Sequence, residues 1–389
     1  MIKNVVVIGA GAMGAGISQI ALMGGYDVTL VIKEKYIDNC TEKIRFGLEK
    51  LESKKKLKKT TPAELLSNLS RSTNLAESVK KADLVLEAVT ENLEIKKKVF
   101  KIAGENAPEH CILVSNTSSM SIKALGEASG RPEKVCGAHF FIPAPLMRLV
   151  EIVRTDKSSD ATIEIVKKWA EKLPCVRGKR YVPIVLKDRP GFIANRLQAP
   201  AIIAVDWTLD YAVENGIPLE HVDNDLFTPF MPMSPLILLD YIGLDVNYDI
   251  SKHYESVLHP DFKPGEVMSK KIKMNELGKK TGKGIYEWKG STLPEVDRTH
   301  KAGILSLELV FALQANEGCR LLEEKVIDKY STVDDTLRNG FNMLGPFSIL
   351  MDGNEEKWVQ LLEDFAKKSG RVYLKPCKLM KSGGYKEFH

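Results

Sequence analysis

The chain has 389 residues, 44% hydrophobic and 28% charged, with a net charge of +5 and a pI near 8.6. That profile excludes a disordered or collagen-like polymer and describes a globular chain long enough for two or three domains. The positive balance is too mild for a nucleic-acid-binding signature, so no nucleic-acid partner is expected, but it suits a small polyanionic substrate.

The first element is an apolar β run, Val5 to Ile8, which breaks into Gly9-Ala-Gly11-Ala12-Met13-Gly14 and continues as a helix-forming stretch through Ala21. In this context Gly-x-Gly-x-x-Gly reads as a dinucleotide fingerprint. Gly9 permits the tight turn, Gly11 lets backbone amides approach a pyrophosphate, and Gly14 lets the helix pack close to the strand. A second strand runs from Asp27 to Ile32, where nucleotide-binding folds usually place an acidic residue for the ribose hydroxyls. Ile32 cannot accept those hydrogen bonds. Glu34 is a substitute acceptor for NAD, while Lys33 or Lys35 would pair with the 2′-phosphate of NADP, so both cofactors stay open.

Further β runs at Leu84 to Val89, Cys111 to Val114, Lys134 to Phe141, Leu149 to Arg154 and Val182 to Leu186 alternate with helical periodicity in the earlier part. This is an α/β arrangement with a mainly parallel sheet. Pro190-Gly191 breaks it, and the chain then reads as helices, which puts a boundary near 188. The helical half repeats faintly: Val222 to Pro235 is echoed by Val333 to Pro346 at the same spacing. The expected domains are therefore a nucleotide-binding domain at 1–188, a helical domain at 189–292, and a degenerate second helical copy with a polar tail at 293–389. No apolar run reaches the roughly twenty residues of a membrane span. The first strand leaves no room for a leader, and the six scattered cysteines make no CxxC pair, so a cytoplasmic chain without disulfides or metal is expected.

The run Val135-Cys-Gly-Ala-His139-Phe-Phe-Ile142-Pro-Ala-Pro-Leu-Met-Arg-Leu-Val-Glu151 delivers one imidazole on an apolar strand and returns a carboxylate twelve residues later. A general base needs an imidazole-like pKa and a second group to fix its tautomer, and this pattern supplies both. A structural core histidine remains the alternative.

Together, the glycine fingerprint, Ala82 to Leu93 with Glu91, Ser115-Asn-Thr-Ser118-Ser, His139-Phe-Phe, Leu149-Val-Glu151 and Arg189-Pro-Gly-Phe-Ile-Ala-Asn195-Arg resemble the L-3-hydroxyacyl-CoA dehydrogenases, as do Met233 to Asp245 and Lys280-Thr-Gly-Lys-Gly-Ile-Tyr286. The resemblance covers nearly the whole chain. It implies a Rossmann domain followed by all-α domains with the helical unit duplicated, and reversible NAD(P)-dependent oxidation of (S)-3-hydroxyacyl-CoA in an interdomain cleft. It also implies His139 as base, Glu151 as its orienter, Ser118 and Asn195 at the substrate oxygens, and Glu91 and Ser118 facing the cofactor. Lys56, in the lysine run Ser53 to Lys59, falls where this family holds the adenosine phosphates of coenzyme A. Ser118 and Asn195 are equally good helix caps, Glu91 a good helix start, and the lysine run a solvated surface. Ser306 stands at the register of Asn195 in the second copy, so no second active site is expected there. The family's His-Phe-Phe-Asn-Pro is His139-Phe-Phe-Ile142-Pro here, which puts substrate range and nicotinamide contacts in question. The resemblance further implies a homodimer through helical domains, or a monomer if the second copy replaces the partner. A sister enzyme acting on a sugar acid or carnitine, and a drifted nucleotide-binding scaffold, are the competing readings.

Overall fold

The computed structural model describes residues 2–57 and 60–389, which divide into two compact units. The first comprises residues up to Ala194 together with Glu324–Leu344, and the second comprises Asn195–Glu323 and Gly345–His389.

The first unit is built on one eight-stranded sheet: β1 (Asn4–Ile8), β2 (Asp27–Val31), β3 (Leu69–Ser72), β4 (Leu84–Glu87), β5 (Ile112–Ser115), β6 (Val135–Phe140), β7 (Val150–Val153) and β8 (Ile184–Val185). Their spatial order is 3-2-1-4-5-6-7-8, and every pairing is parallel except β6 with β7. The first six strands have the doubly wound order in which the sequence of strand addition reverses between β1 and β4, and ligands of such sheets bind outside the carboxyl ends at that point. β1, β4 and β5 are mostly β-branched and leucine runs, as buried strands of a parallel sheet require. β3 was not anticipated from sequence. It is a four-residue edge strand, Leu-Ser-Arg-Ser, with no apolar alternation to betray it.

Helix α1 (Ala12–Met23) packs on β1 and β2, and α2 (Ile37–Ser53) packs on α1. The buried face of α2 is Cys40, Ile44, Leu48 and Leu51, a helical stripe that opens its other side to solvent. The segment Glu324–Leu344 joins this unit through the Leu186 amide, which donates to the Val326 carbonyl, and through its helix Ser331–Phe341.

The second unit is helical, with Ala194–Glu214 as its longest element. Leu307–Glu323 is the long helix of its second half. Within the unit Arg196 pairs with Glu317, both buried, so the helices Ala194–Glu214 and Leu307–Glu323 are charge-matched. Burial alone would push the Glu317 carboxyl up, but Arg196 and Arg320 outweigh it and hold it low. The C-terminal stretch, read from sequence as a polar tail, instead folds into the helix Lys378–Ser382 and a final 3-10 turn. Met380 and Tyr385 are its buried anchors: two apolar side chains in a polar run suffice to dock it.

Candidate active site

β6 and β7 run antiparallel with His139 directly opposite Glu151. Such a pair projects to the same face of the sheet, so the register alone brings imidazole and carboxylate together. His139 Nδ1 lies 2.7 Å from Glu151 Oε2, and both residues are buried. The other carboxylate oxygen accepts the amide N–H groups of Ile193 at 3.0 Å and Ala194 at 2.8 Å. Gly191 at φ +78° and Phe192 at φ +50° make the left-handed turn that aims these amides. For phenylalanine that conformation is strained and is held by burial of its ring. As a carboxylate, Glu151 only accepts, so the network assigns the proton to Nδ1 and leaves a lone pair on Nε2. Phe141 and Phe192 flank the imidazole with ring centroids at 4.4 and 5.7 Å.

At the carboxyl end of β4 a second constellation forms. Glu91 accepts the Thr117 hydroxyl at 2.9 Å, the Ser118 amide at 2.9 Å and the Ser118 hydroxyl at 3.2 Å, and Lys96 lies 2.9 Å away. Burial works against its charge, but Lys96 and these donors win and hold its carboxyl below the usual range. Ser118 is therefore not a helix cap, because Ser121 caps the following helix, and Glu91 does not start a helix, because Asn92 caps that one. Lys96 also bonds Glu87 at 2.7 Å, both nearly inaccessible, and Glu87 takes the Ser115 hydroxyl at 2.6 Å. Sequence reasoning passed over this buried pair, although a signal was present. Lys96 lies on the same helical stripe as Phe100 and Ala103, where a lysine needs a partner.

The glycine turn meets the requirements of a dinucleotide. Gly9 has φ +125°, and a Cβ there would lie 2.3 Å from the Ala88 carbonyl oxygen; one on Gly14 would lie 2.2 Å from the Gly9 oxygen. At Gly11 the corresponding space is open, and α1 begins there with no side-chain cap and no acid in its first turn, so the amides of Ala12, Met13 and Gly14 are left for an anion. The Gly9 amide donates to the Val31 carbonyl, which brings the end of β2 beside this turn. Ile32 turns its side chain into the core, while Lys33 and Glu34 are exposed on the residues that follow.

Asn195 belongs to the second unit, one residue after the Ala194 amide that holds Glu151. Ser306 at the matching register simply caps its helix through the Leu309 amide. Lys56 is exposed after α2, and its neighbours Lys58 and Lys59 lie outside the described residues. Ile142 is exposed beside the His139 strand. Among the described residues no group of three or more His, Cys, Asp or Glu side chains could hold a metal, and no helix is long and apolar enough to cross a membrane.

A doubly wound sheet with an uncapped glycine turn at its switch point defines a nucleotide-binding scaffold, and comparison narrows the class. Residues 4–188 match the model of the 3-hydroxyacyl-CoA dehydrogenase NAD-binding domain, and residues 191–288 match that of the 3-hydroxyacyl-CoA dehydrogenase C-terminal domain. The chain is 38% identical to the mitochondrial hydroxyacyl-coenzyme A dehydrogenase of Sus scrofa over 74% of its own length and 92% of the pig protein. It is 38% identical to a probable 3-hydroxybutyryl-CoA dehydrogenase of Deinococcus radiodurans over 72% of this chain and 99% of that one. The crystal structure of 3-hydroxybutyryl-CoA dehydrogenase from Escherichia coli K12 superposes with a TM-score of 0.86 at 25% identity, covering 100% of this chain and 99% of that one. The chain belongs to the 3-hydroxyacyl-CoA dehydrogenase family, and it is an oxidoreductase with an NAD-binding N-terminal domain.

Proposed function

We propose that this chain oxidises (S)-3-hydroxyacyl-CoA thioesters to 3-ketoacyl-CoA, reversibly, with His139 as the general base. The observation that carries this reading is the Glu151 carboxylate, which binds Nδ1 with one oxygen and two backbone amides with the other. Bound NAD supplies the acceptor for the hydride that leaves C3. His139 Nε2 takes the hydroxyl proton of the same carbon, and Glu151 stabilises the imidazolium that results. An oriented base of this kind contributes roughly 10²–10⁴ in rate. Ser118 and Asn195 hydrogen-bond the substrate oxygens, with Ser118 positioned by Glu91, which also faces the cofactor. Gly9, Gly11, Ala12, Met13 and Gly14 hold the pyrophosphate, and Lys56 anchors the coenzyme A phosphates as a point charge.

The nucleotide is NAD in this reading, with Glu34 taking the ribose. Ile32 offers that ribose no acceptor, and the exposed Lys33 that follows it is the one observation favouring NADP as an additional cofactor. Following nicotinamide absorbance with acetoacetyl-CoA as oxidant and NADH or NADPH as reductant tests both points. Turnover that disappears in His139→Ala supports the reading; no turnover with either nucleotide rejects this substrate and moves the balance to a non-thioester hydroxy acid.

Residues 293–389 act as a degenerate second copy that replaces a partner's helical domain, a reading supported by the buried Arg196–Glu317 pair between the copies. Light scattering then gives 43.3 kDa, the mass of one chain, and a value twice as large contradicts it. A reducing cytoplasm agrees with six free cysteines.

A further inference from the structure

The two family models end at residue 288, yet Glu324–Leu344, well beyond them, is part of the same compact unit as His139 and Glu151. The attachment is specific. The Leu186 amide donates to the Val326 carbonyl at 2.8 Å, and Lys187 Nζ donates to the Glu324 carbonyl at 2.8 Å. Tyr181, whose amide and carbonyl bond the backbone of Arg148 and Val150, continues the strand edge beside Glu151. Gly340 sits so close to Leu149 that a Cβ there would come within 2.7 Å of its side chain. The helix Ser331–Phe341 is thus seated on the strands that carry and flank Glu151, with Val333 and Leu337 fully buried.

That seat ends in Phe341. Its ring meets Phe141 edge-on, at 6.0 Å between centroids and 80° between planes, and Phe141 in turn lies 4.4 Å from the His139 ring. The imidazole is held at Nδ1 by Glu151, but that bond alone permits rotation about its own axis, and the Phe141 face resists it. Phe141 is only half-buried, and the Phe341 ring is packed against it. Edge-to-face aromatic pairs are directional, with the positive edge of one ring meeting the negative face of the other.

We infer that Phe341, donated by the second helical copy, is a positioning residue for the base: it holds Phe141 against the His139 imidazole and so fixes the direction of the Nε2 lone pair. This rests on the dehydrogenase reading only for its kinetic consequence. The second copy then matters to the reaction as well as to assembly, and a chain reduced to the region the family models match would leave the base loosely aimed.

The test uses the full chain with ring-labelled histidine and the variants Phe341→Ala and Phe341→Tyr, the His139 resonance being assigned by its loss in His139→Gln. Ring currents from Phe141 and Phe192 shift that resonance. In Phe341→Ala it moves by more than a linewidth while the other histidines stay in place, and in Phe341→Tyr it returns toward the parent position. In turnover of acetoacetyl-CoA with NADH, Phe341→Ala lowers kcat roughly ten- to hundredfold, as misalignment of about an ångström does, with KM changed less than about twofold. Phe341→Tyr recovers most of the loss. An unmoved His139 resonance in Phe341→Ala overturns the inference, as does a loss expressed in KM with kcat intact. Absence of turnover in the parent protein would refute the dehydrogenase reading, while the spectrum would still decide the role of Phe341.

Discussion

His139 and Glu151 were legible at the scale of single residues because each departs from its surroundings: a histidine and a glutamate are out of place in buried apolar strands unless paired. The sequence could not show the two amides that fill Glu151's second oxygen, since they come from a backbone turn some forty residues away. They decide what a substitution does. In Glu151→Gln the side-chain amide must present its NH₂ group either to the Ile193 and Ala194 donors or to Nδ1–H, and each choice sets donor against donor. We expect kcat to fall roughly 10²–10⁴-fold, with the thioester KM little changed, because the tautomer is no longer enforced. Steady-state kinetics beside an intact circular dichroism spectrum check this, and a variant within threefold of the parent would refute the orienting role. Lys96 escaped notice for the opposite reason: lysines are common on helices, and only its place on the buried stripe marks it out.

At the scale of elements, the strands with long β-branched runs were readable, and the four-residue polar edge strand β3 was not. Pro190-Gly191 was visible as a break between domains, but its work in aiming two amides at Glu151 lies in a φ of +50° at Phe192 that no residue pattern announces. The helix Ala194–Glu214 carries a further consequence. Burial pushes the Asp206 carboxyl up to about 6, helped by Asp210 and opposed by the Gly265 amide and Arg371. The fold therefore binds a proton there more tightly than the unfolded chain does. Asp206's contribution to stability is full below the ordinary aspartate range near 4 and is lost as pH rises through about 6. Asp206→Asn keeps an acceptor for the Gly265 amide and removes the titration. Urea midpoints should then differ little between variant and parent at low pH, with the variant becoming the more resistant of the two above neutrality. Parallel pH dependence in the two proteins would contradict the assignment.

For the whole molecule, the glycine fingerprint and the alternation of strands and helices made the doubly wound sheet legible before any coordinates, because local patterning and packing agree there. The assignment of Glu324–Leu344 to the unit that holds the base was beyond reach, since it depends on contacts between residues more than a hundred positions apart. The docked C-terminus was hidden for a similar reason: Met380 and Tyr385 are too few to form a pattern, yet enough to bury. The spacing shared by Val222 to Pro235 and Val333 to Pro346 could be read from sequence, but the buried Arg196–Glu317 pair between the helices Ala194–Glu214 and Leu307–Glu323 could not.

The central claim is that an imidazole locked by Glu151 removes the hydroxyl proton of a 3-hydroxyacyl thioester. Turnover of acetoacetyl-CoA with NADH by the parent chain and by His139→Ala tests it most directly. The account predicts ready oxidation of NADH by the parent and a loss of roughly 10²–10⁴ in kcat in the variant, with nucleotide binding retained. Equal turnover in the two proteins would contradict it.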